Sequence, residues 1–317
     1  MPRIDETSES VLVLGATGSL GSAVSLELLS RGTHVRLLAR DLERARRRFG
    51  NRANASFVIG DAMDDAVLRP ATAAVRAVVV TLGLAAPAVG TAVSRVATAL
   101  SETPPESDRP ARRTIVVPVP PGADHGAVLD EISAVAKRTH LRLVVLTAGP
   151  LFGPTVRGGE IDRLCKAALA WKTIRTNRDL DARHAWVFAP DAAKSVADAI
   201  ESSDQPEQPE LIVCEPGPHT YREFLGELGR GAIRLTIPPG VGLESLNGRA
   251  DPRIGRISGL SALRERLTRR RPPRRERPEM HEASPPPAGF RVSRVPPRCE
   301  LAEALRTTLT SYRHQLA

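Results

Sequence analysis

The sequence predicts an α/β fold in which a doubly wound parallel sheet is covered by helices on both faces. Short runs that are apolar throughout, without polar alternation, are typical of strands buried on both sides of a parallel sheet. These runs alternate with segments of helical periodicity, and the first of them leads into a glycine-rich turn. With 317 residues, 41% of them hydrophobic, the chain can bury a sizeable core.

The first half of the chain alternates strands and helices. The first strand is predicted at Val11–Leu14, and the helix that follows, Leu20–Arg31, carries Leu20, Val24 and Leu28 at four-residue spacing before Gly32 ends it. Further strands are predicted at Val35–Leu38, Phe57–Ile59, Ala77–Thr81, Ile115–Val119 and Leu143–Leu146. Further helices are predicted at Leu42–Phe49, Asp64–Arg69, Thr91–Ser101 and Gly126–Thr139.

The second half is less regular and predicts a small mixed domain. Helices are expected at Ile161–Trp171 and Asp191–Glu201, and a strand at Leu211–Cys214. Thr220 and Glu223 have the spacing of a capping box at the start of another helix. We therefore expect a first domain over residues 1–150, a small α/β domain over 151–263, an arginine- and proline-rich segment over 264–297 and a C-terminal helix within 298–317.

The positive charge of the chain belongs to its C-terminal part. Of the net charge of +9, the residues from Arg264 onward contribute +7, with thirteen arginines against six glutamates. Because like charges repel and proline lacks an N–H donor, residues 264–297 are expected to be extended and poorly ordered. The eight arginines between Arg264 and Arg277 raise the hypothesis of binding to nucleic acid or an anionic surface, but that interval contains no aromatic residue.

Composition restricts the other possibilities. Cys165, Cys214 and Cys299 have no zinc or redox spacing, so they predict neither a metal site nor a disulfide. No apolar run reaches the roughly 20 residues that cross a bilayer, and no hydrophobic stretch that could act as a signal peptide precedes Val11. We expect a cytoplasmic protein without a membrane span.

The most informative segment is VLVLGATGSLG, which begins at Val11. Its glycines at positions 15, 18 and 21 allow a tight turn from strand to helix, and a pyrophosphate could approach the backbone amides there without meeting a side chain. The dipole of the helix beginning near Leu20 would favour the negative charge. The segment therefore predicts a nucleotide-binding turn in a Rossmann-type domain.

GATGSLG resembles the N-terminal motif of the short-chain dehydrogenase/reductase superfamily, in its extended (epimerase/dehydratase-like) and atypical branches. Four later segments are similar to elements of that family and follow in the same order, so that the resemblance spans about residues 10–230. These are Gly60-Asp61, like the aspartate after the third strand, Leu151–Pro154 (LFGP), like "VYGP", Trp186–Ile200 with Asp191, and Pro216–Leu228 with Tyr221. The resemblance implies a dinucleotide-binding domain over 1–150, a substrate-type domain over 151–263 and a homodimer.

The cofactor site expected from this resemblance comprises ten residues. They are Gly15, Thr17, Gly18, Ser19, Leu20, Gly21, Arg40, Asp61, Ala62 and Leu82. At the end of the second strand Ala39 stands where an acid would bind the adenosine ribose, and Arg40, which could pair with a 2′-phosphate, follows it. We therefore expect NADP(H) in preference to NAD(H), although Arg40 could also be a simple solvent-facing side chain.

The catalytic groups that the family uses are not evident. The resemblance implies a tyrosine, a lysine four residues later and a hydroxyl residue after the fifth strand, but that strand runs into prolines, and no tyrosine or lysine lies between it and Glu131. Asp124 and His125 occupy the corresponding loop and are the candidates for acid–base work. His184 with Asp191 is a second pair, and solvated or structural roles are the alternative for all four residues.

Three functions remain open at this stage. The first is a cofactor-binding protein that has lost the usual chemistry and serves as a sensor, scaffold or subunit. The second is an active NADP-dependent oxidoreductase or nucleotide-sugar epimerase/dehydratase with unusual catalytic residues, acting on a small-molecule substrate that the sequence does not identify. The third is binding of nucleic acid or an anionic surface through the arginine-rich segment.

Overall fold

A computed structural model shows an α/β fold with an eight-stranded parallel sheet and a two-stranded sheet of β7 (Leu151–Phe152) and β8 (Val187–Phe188). The structure describes residues 10–83, 86–102, 113–119, 125–170, 179–183, 185–202, 206, 208–236 and 289–316. The strands are β1 (Ser10–Leu14), β2 (Val35–Ala39), β3 (Ala55–Ile59), β4 (Val75–Val80), β5 (Thr114–Pro118), β6 (Arg142–Ala148), β7 (Leu151–Phe152), β8 (Val187–Phe188), β9 (Glu210–Cys214) and β10 (Arg291–Val295). The helices are α1 (Ser19–Ser30), α2 (Leu42–Phe49), α3 (Asp65–Ala71), α4 (Ala86–Glu102), α5 (His125–Thr139), α6 (Gly159–Leu169), α7 (Ala189–Glu201), α8 (Tyr221–Thr236) and α9 (Leu301–Leu316).

The main sheet has the strand order β10-β9-β6-β5-β4-β1-β2-β3, and every pairing in it is parallel. Six of these strands follow the order 3-2-1-4-5-6 of a Rossmann sheet. Val11 of β1 is in register with Val35 on one side and Ala77 on the other. The predicted fold class, a Rossmann-type doubly wound parallel sheet, is therefore confirmed.

The apolar runs lie where both faces of the sheet are covered. Residues 11–14 of β1, 77–80 of β4 and 143–146 of β6 are all buried. α1 packs against α7, and α4 packs against α5. Where helices cover both faces of a strand, a polar side chain on either face would be removed from water. This explains why apolar and polar residues do not alternate along these strands.

The chain forms two compact units, each assembled from separated pieces. Unit 1 consists of Met1–Leu151, Ala185–Pro216 and Ala283–Arg298. Unit 2 consists of Phe152–His184, Gly217–Glu282 and Cys299–Ala317. The continuous domains expected over residues 1–150 and 151–263 differ from these units, because the chain returns twice to the main sheet.

Two segments that the sequence placed outside the main sheet lie within it. β9, expected in the small second domain, pairs with β6. Arg291–Val295, expected in an extended and poorly ordered segment, forms β10 at the sheet edge beside β9. Arg291 N–H donates to Pro209 O at 2.9 Å and Glu215 N–H donates to Val295 O at 2.9 Å, so β9 supplies the backbone hydrogen bonds that the composition did not reveal. The rest of the arginine- and proline-rich segment, 264–288, lies outside the described residues.

Unit 2 is a helical assembly in its described part. α8 packs against α6 and α9, and the rings of Phe152 and Phe224 meet edge to face with centroids 5.6 Å apart. A Cβ at Gly231 of α8 would lie 2.9 Å from Leu309 Cδ1, so a glycine allows the close approach of α8 and α9. Among the described helices of both units, none is long and apolar enough to span a membrane.

Candidate cofactor site

In the turn between β1 and α1, the backbone of Gly15 lies close to the backbone that follows β4. Gly15 has a φ of +74°, and a Cβ at this position would lie 2.7 Å from Thr81 O. Gly18 N–H donates to Gly15 O at 2.9 Å and closes the turn. The first glycine is thus required both by its left-handed backbone and by its contact with the chain that follows β4.

Gly21 sets how closely α1 approaches this turn. A Cβ at this position would lie 2.3 Å from Gly15 O and 2.5 Å from Thr81 Oγ1. Thr81 also joins the ends of the two strands, since its N–H and its Oγ1–H both donate to Leu14 O, at 3.0 and 2.6 Å. Thr81 was not among the predicted site residues, because its role depends on the pairing of β4 with β1.

The first turn of α1 is open to a ligand. Its N-cap is Gly18, which has no side chain to cap the helix and is exposed, while Thr17, Ser19 and Leu20 are half-buried. The buried hydroxyl of Ser22 donates to Ala16 O at 2.8 Å and holds the backbone of the turn against α1. An exposed helix N-terminus without a side-chain cap presents amide N–H groups that suit a phosphate.

The end of β2 carries an apolar residue followed by an arginine. Ala39 is buried, and Arg40 is exposed. The next residue, Asp41, uses its carboxylate to cap α2, where Oδ1 accepts from Arg44 N–H at 3.0 Å. The last residue of β2, Ala39, is therefore not an acid that could hydrogen-bond an adenosine ribose.

The remaining predicted cofactor residues lie at the ends of the neighbouring strands. Gly60 N–H, after β3, donates to Ala39 O at 3.1 Å. Asp61 is exposed and its Oδ1 accepts from Met63 N–H at 2.9 Å, whereas Ala62 is buried. Leu82, half-buried after β4, has its Cδ2 at 3.4 Å from a Cβ built on Gly15. Since β3, β2, β1 and β4 are parallel neighbours, the structure brings the predicted cofactor residues to one edge of the sheet.

These features fit a dinucleotide. A side chain at Gly15 or Gly21 would fill the backbone cradle, and the amides of the first turn of α1 would face a pyrophosphate.

The predicted acid–base candidates are only partly described. His125 is the first residue of α5, and nothing is described of its side chain. Asp124 and His184 lie outside the described residues. Asp191 is buried in α7, and its Oδ2 accepts from Arg298 N–H at 2.9 Å, which is a structural contact. The structure therefore brings none of these residues together as a described catalytic pair.

The two tyrosines of the sequence, Tyr221 and Tyr312, both belong to unit 2. Tyr221 donates its hydroxyl to Glu160 Oε1 at 3.2 Å, and Tyr312 donates its hydroxyl to Val156 O at 2.7 Å. Burial raises the pKa of Tyr312 to about 12, a shift opposite to the one a proton donor near neutral pH needs. Neither tyrosine lies in the sequence around Asp124 and His125, where the family resemblance would place the catalytic one.

Comparisons with known proteins agree with this fold. Residues 15–156 match the sequence model of a family described as NAD(P)H-binding. An epimerase from Methanothermobacter thermautotrophicus superposes with a TM-score of 0.65 at 16% identity, covering 98% of this chain and 94% of that chain. The UDP-glucose 4-epimerase of Thermus thermophilus, solved in complex with NAD, gives 0.59 at 19% identity, covering 96% and 99%.

A third structure, the enzyme WbmF of Bordetella bronchiseptica in complex with NAD+ and UDP, gives a TM-score of 0.64 at 13% identity, covering 98% of this chain and 93% of that chain. No curated protein matches the sequence. Residues 15–156 thus match an NAD(P)H-binding family, and the chain shares its fold with solved epimerases over nearly its whole length.

Proposed function

We propose that the protein binds NADP(H) at the β1–α1 turn and acts as a cofactor-binding sensor, scaffold or subunit rather than through the tyrosine–lysine chemistry of its fold. The observation that carries the proposal is the backbone cradle, in which a Cβ at Gly21 would lie 2.3 Å from Gly15 O. The match of residues 15–156 to an NAD(P)H-binding family supports it. So do the structures of the same fold that hold NAD.

The preference for the phosphorylated cofactor follows from the end of β2. A carboxylate in place of Ala39 would repel a 2′-phosphate, but that position is apolar, and the nearest carboxylate, that of Asp41, caps α2 through Oδ1. The exposed guanidinium of Arg40 would pair with that phosphate through charge-assisted hydrogen bonds. NADH, which lacks the phosphate, gains nothing from this arginine.

Replacing Arg40 tests the preference. We expect Arg40→Gln to weaken NADPH binding about tenfold or more, because a hydrogen bond to a charged group contributes about 1.5–3 kcal/mol. NADH binding should stay almost unchanged. Calorimetric titration of each variant with both nucleotides measures the effect, and Arg46→Gln, an exposed arginine paired with Glu43 on α2, is the matched control.

Two results would reject the assignment. One is tighter binding of NADH than of NADPH by the unmodified protein. The other is an equal loss of NADPH affinity in Arg40→Gln and Arg46→Gln, which would reflect the general loss of positive charge rather than a contact with the 2′-phosphate.

The proposed loss of the usual chemistry depends on the acid–base groups. The tyrosines of the chain are buried in unit 2 with their hydroxyls engaged, and Lys137 lies in the last turn of α5, twelve residues after His125. A proton relay of tyrosine and lysine therefore has no counterpart on α5. With these groups absent, the bound nucleotide would serve binding or structure.

An active oxidoreductase or epimerase is the second candidate, because the shared fold extends over 98% of this chain in the comparison with one epimerase. His125 would then be the first residue to examine. A change in the absorbance of bound NADPH on addition of a nucleotide sugar, or conversion of that sugar into its epimer, would favour this candidate. Absence of both changes would favour the first one.

A further inference from the structure

Helix α2 and the residues beside it carry a dense positive charge within unit 1. Residues 40–52 contain six arginines and two acids, a formal charge of +4. Residues 1–263 as a whole carry only +2, since those from Arg264 onward account for +7 of the net +9. The rest of that long stretch is therefore slightly acidic, and the charge around α2 is a local feature rather than a general property of the surface.

The packing of α2 leaves arginines on its solvent side. Ala45 and Phe49, four residues apart, are buried where α2 packs against β2 and β3. Arg44 and Arg47 are exposed and, three residues apart, are neighbours on the helix surface. Arg52 is also exposed, and its Nε–H donates to Phe49 O at 3.2 Å, at the C-terminal end of the helix. We call Arg44, Arg47 and Arg52 the α2 basic face.

The charges of the α2 basic face are not balanced by carboxylates in the part of the chain that the structure describes. Glu43, the acid within the helix, has Oε1 at 3.9 Å from Nη1 of Arg46, and Asp41 caps the helix through Oδ1. Among the described residues, none forms an ion pair with any of the three arginines of this face. Three exposed guanidinium groups are therefore accessible to an anion from solution.

Helix stability does not account for this arrangement. A cation in the last turn, such as Arg47, interacts favourably with the helix dipole, but Arg44 lies in the first turn, at the positive end. The two like charges, three residues apart, also repel each other. Binding of an anion would relieve both unfavourable interactions.

The side chains of α2 restrict the class of partner. Apart from arginine and glutamate, the helix contains only Leu42, Ala45 and Phe49, of which Leu42 is half-buried and the others are buried. It therefore presents no exposed apolar residue that could insert into a bilayer or anchor a protein interface. It also presents no exposed aromatic ring on which the bases of a single strand could stack. The phosphate backbone of a duplex, in contrast, requires only positive charge.

We propose that the α2 basic face binds the phosphate backbone of a nucleic-acid duplex without recognising the base sequence. Guanidinium groups donate paired hydrogen bonds to phosphate oxygens, and their binding releases the counterions that the duplex condenses. Arg40, which the proposed function assigns to the cofactor, is not part of this face, so duplex binding does not depend on NADPH binding. The eight arginines between Arg264 and Arg277 are a separate charged segment of the chain.

Fluorescence anisotropy with a labelled DNA duplex tests the proposal on the full-length protein, without added dinucleotide. We expect a Kd on the order of 10 μM at about 50 mM salt, and the logarithm of the binding constant should fall linearly with the logarithm of the salt concentration. Two duplexes of unrelated sequence should bind equally, and the corresponding single strand should bind more weakly. The same measurement with an RNA duplex distinguishes the two kinds of duplex.

Matched double variants separate the α2 basic face from the general charge of the protein. Arg44→Gln/Arg47→Gln removes two charges from this face, whereas Arg69→Gln/Arg95→Gln removes two exposed charges of unit 1 that are paired with carboxylates. We expect the first double variant to weaken duplex binding about tenfold or more and to lower the magnitude of the salt slope by about two. The second should change the affinity by less than about threefold and leave the slope unchanged. Thermal unfolding checks that both variants fold.

Four outcomes would contradict the proposed contact. Absence of duplex binding by the unmodified protein is the first, and tighter binding of the single strand than of the duplex is the second. A marked preference for one of the two duplex sequences would show recognition of bases rather than of phosphates. Equal effects of the two double variants, including no effect of either, would show that the duplex binds to other charges of the chain.

Discussion

Individual glycines of the β1–α1 turn differ in how much space surrounds them. A Cβ at Gly18 would lie 3.1 Å from Gly15 O, a tight contact that a small shift could relieve. At Gly21 the distances to Gly15 O and Thr81 Oγ1 are 2.3 and 2.5 Å, so a backbone oxygen itself would have to move. Gly21 is therefore the residue on which the shape of the cradle depends most.

Substitution of Gly21 should disturb both stability and binding. We expect Gly21→Ala to lower the free energy of unfolding by about 1–3 kcal/mol, because overpacking pushes α1 away from the turn. NADPH affinity should fall about tenfold or more, because the amide N–H groups of the first turn of α1 would no longer point toward the pyrophosphate. Urea denaturation and calorimetric titration measure the two effects.

Gly126→Ala is the control for this substitution. Gly126 lies in the first turn of α5 in the same unit, and a Cβ there would meet nothing within 4 Å. This variant should be as stable as the unmodified protein or slightly more so, since alanine favours the helix by up to about 1 kcal/mol. The Gly21→Ala protein could instead be as stable as the Gly126→Ala protein and bind NADPH with unchanged affinity. That result would show that Gly21 has room for a side chain and that the cradle does not depend on a glycine there.

At the level of elements, α8 begins with a reciprocal pair of side-chain hydrogen bonds. Thr220 N–H donates to Glu223 Oε2 at 2.8 Å, and Glu223 N–H donates to Thr220 Oγ1 at 3.2 Å. This is the capping box that the spacing of the two residues predicts. It satisfies two N–H groups that the helix itself leaves without acceptors.

Removal of this cap has a predictable cost. We expect Thr220→Ala to lower the free energy of unfolding by about 1 kcal/mol, as for other N-cap threonines. Thr310→Ala, in the interior of α9 of the same unit, is the control and should have little effect or stabilise the helix slightly. Chemical denaturation compares the two variants, and an equal change in both would mean that the capping box contributes nothing to stability.

Local signals predicted the elements of the first half well, because each signal is contained in a short stretch of sequence. α2 begins and ends at the predicted residues Leu42 and Phe49, since Asp41 caps it and Gly50 follows with a positive φ. β10 was not predicted, because it depends on hydrogen bonds to β9, a strand about eighty residues earlier, and because arginine and proline dominate its surroundings. The place of β9 beside β6 is likewise set by tertiary contacts.

In the candidate cofactor site, too, the features with a local sequence signal could be predicted and those that depend on tertiary contacts could not. The glycine turn could be predicted from its spacing, because three glycines at three-residue intervals already indicate that backbone packs closely against backbone there. Thr81 could not, because only the pairing of β4 with β1 brings its hydroxyl to Leu14 O. Asp124 and His184 stay predictions, since they lie outside the described residues.

For the molecule as a whole, α7 joins the separated pieces of unit 1. Nη1 of Arg31, the C-cap residue of α1, contacts Asp198 Oδ1 and Glu201 Oε2, both at 2.8 Å, and Arg298 Nη1 contacts Asp198 Oδ2. Burial works to raise the pKa of Asp198, but hydrogen bonds from Arg31 and Arg298 outweigh it and lower that pKa. The stabilisation from this network is therefore fully present above the ordinary pKa of aspartate and is lost as pH falls from there through the lowered pKa of Asp198.

The positive charge of the C-terminal part is only partly explained by the structure. Arg291, Arg294 and Arg298 belong to β10 and the segment that follows it. The eight arginines between Arg264 and Arg277 lie outside the described residues. Binding of nucleic acid or an anionic surface through them stays a prediction, as does the homodimer.

Calorimetric titration of the protein with NADPH and NADH decides whether the β1–α1 turn binds a dinucleotide. We predict heat of binding with a stoichiometry of about one NADPH per chain, and weaker binding of NADH, because the cradle is preformed and Arg40 recognises the extra phosphate. Absence of heat with both nucleotides would contradict the claim, since the backbone cradle at Gly15 and Gly21 would then be a structural turn alone.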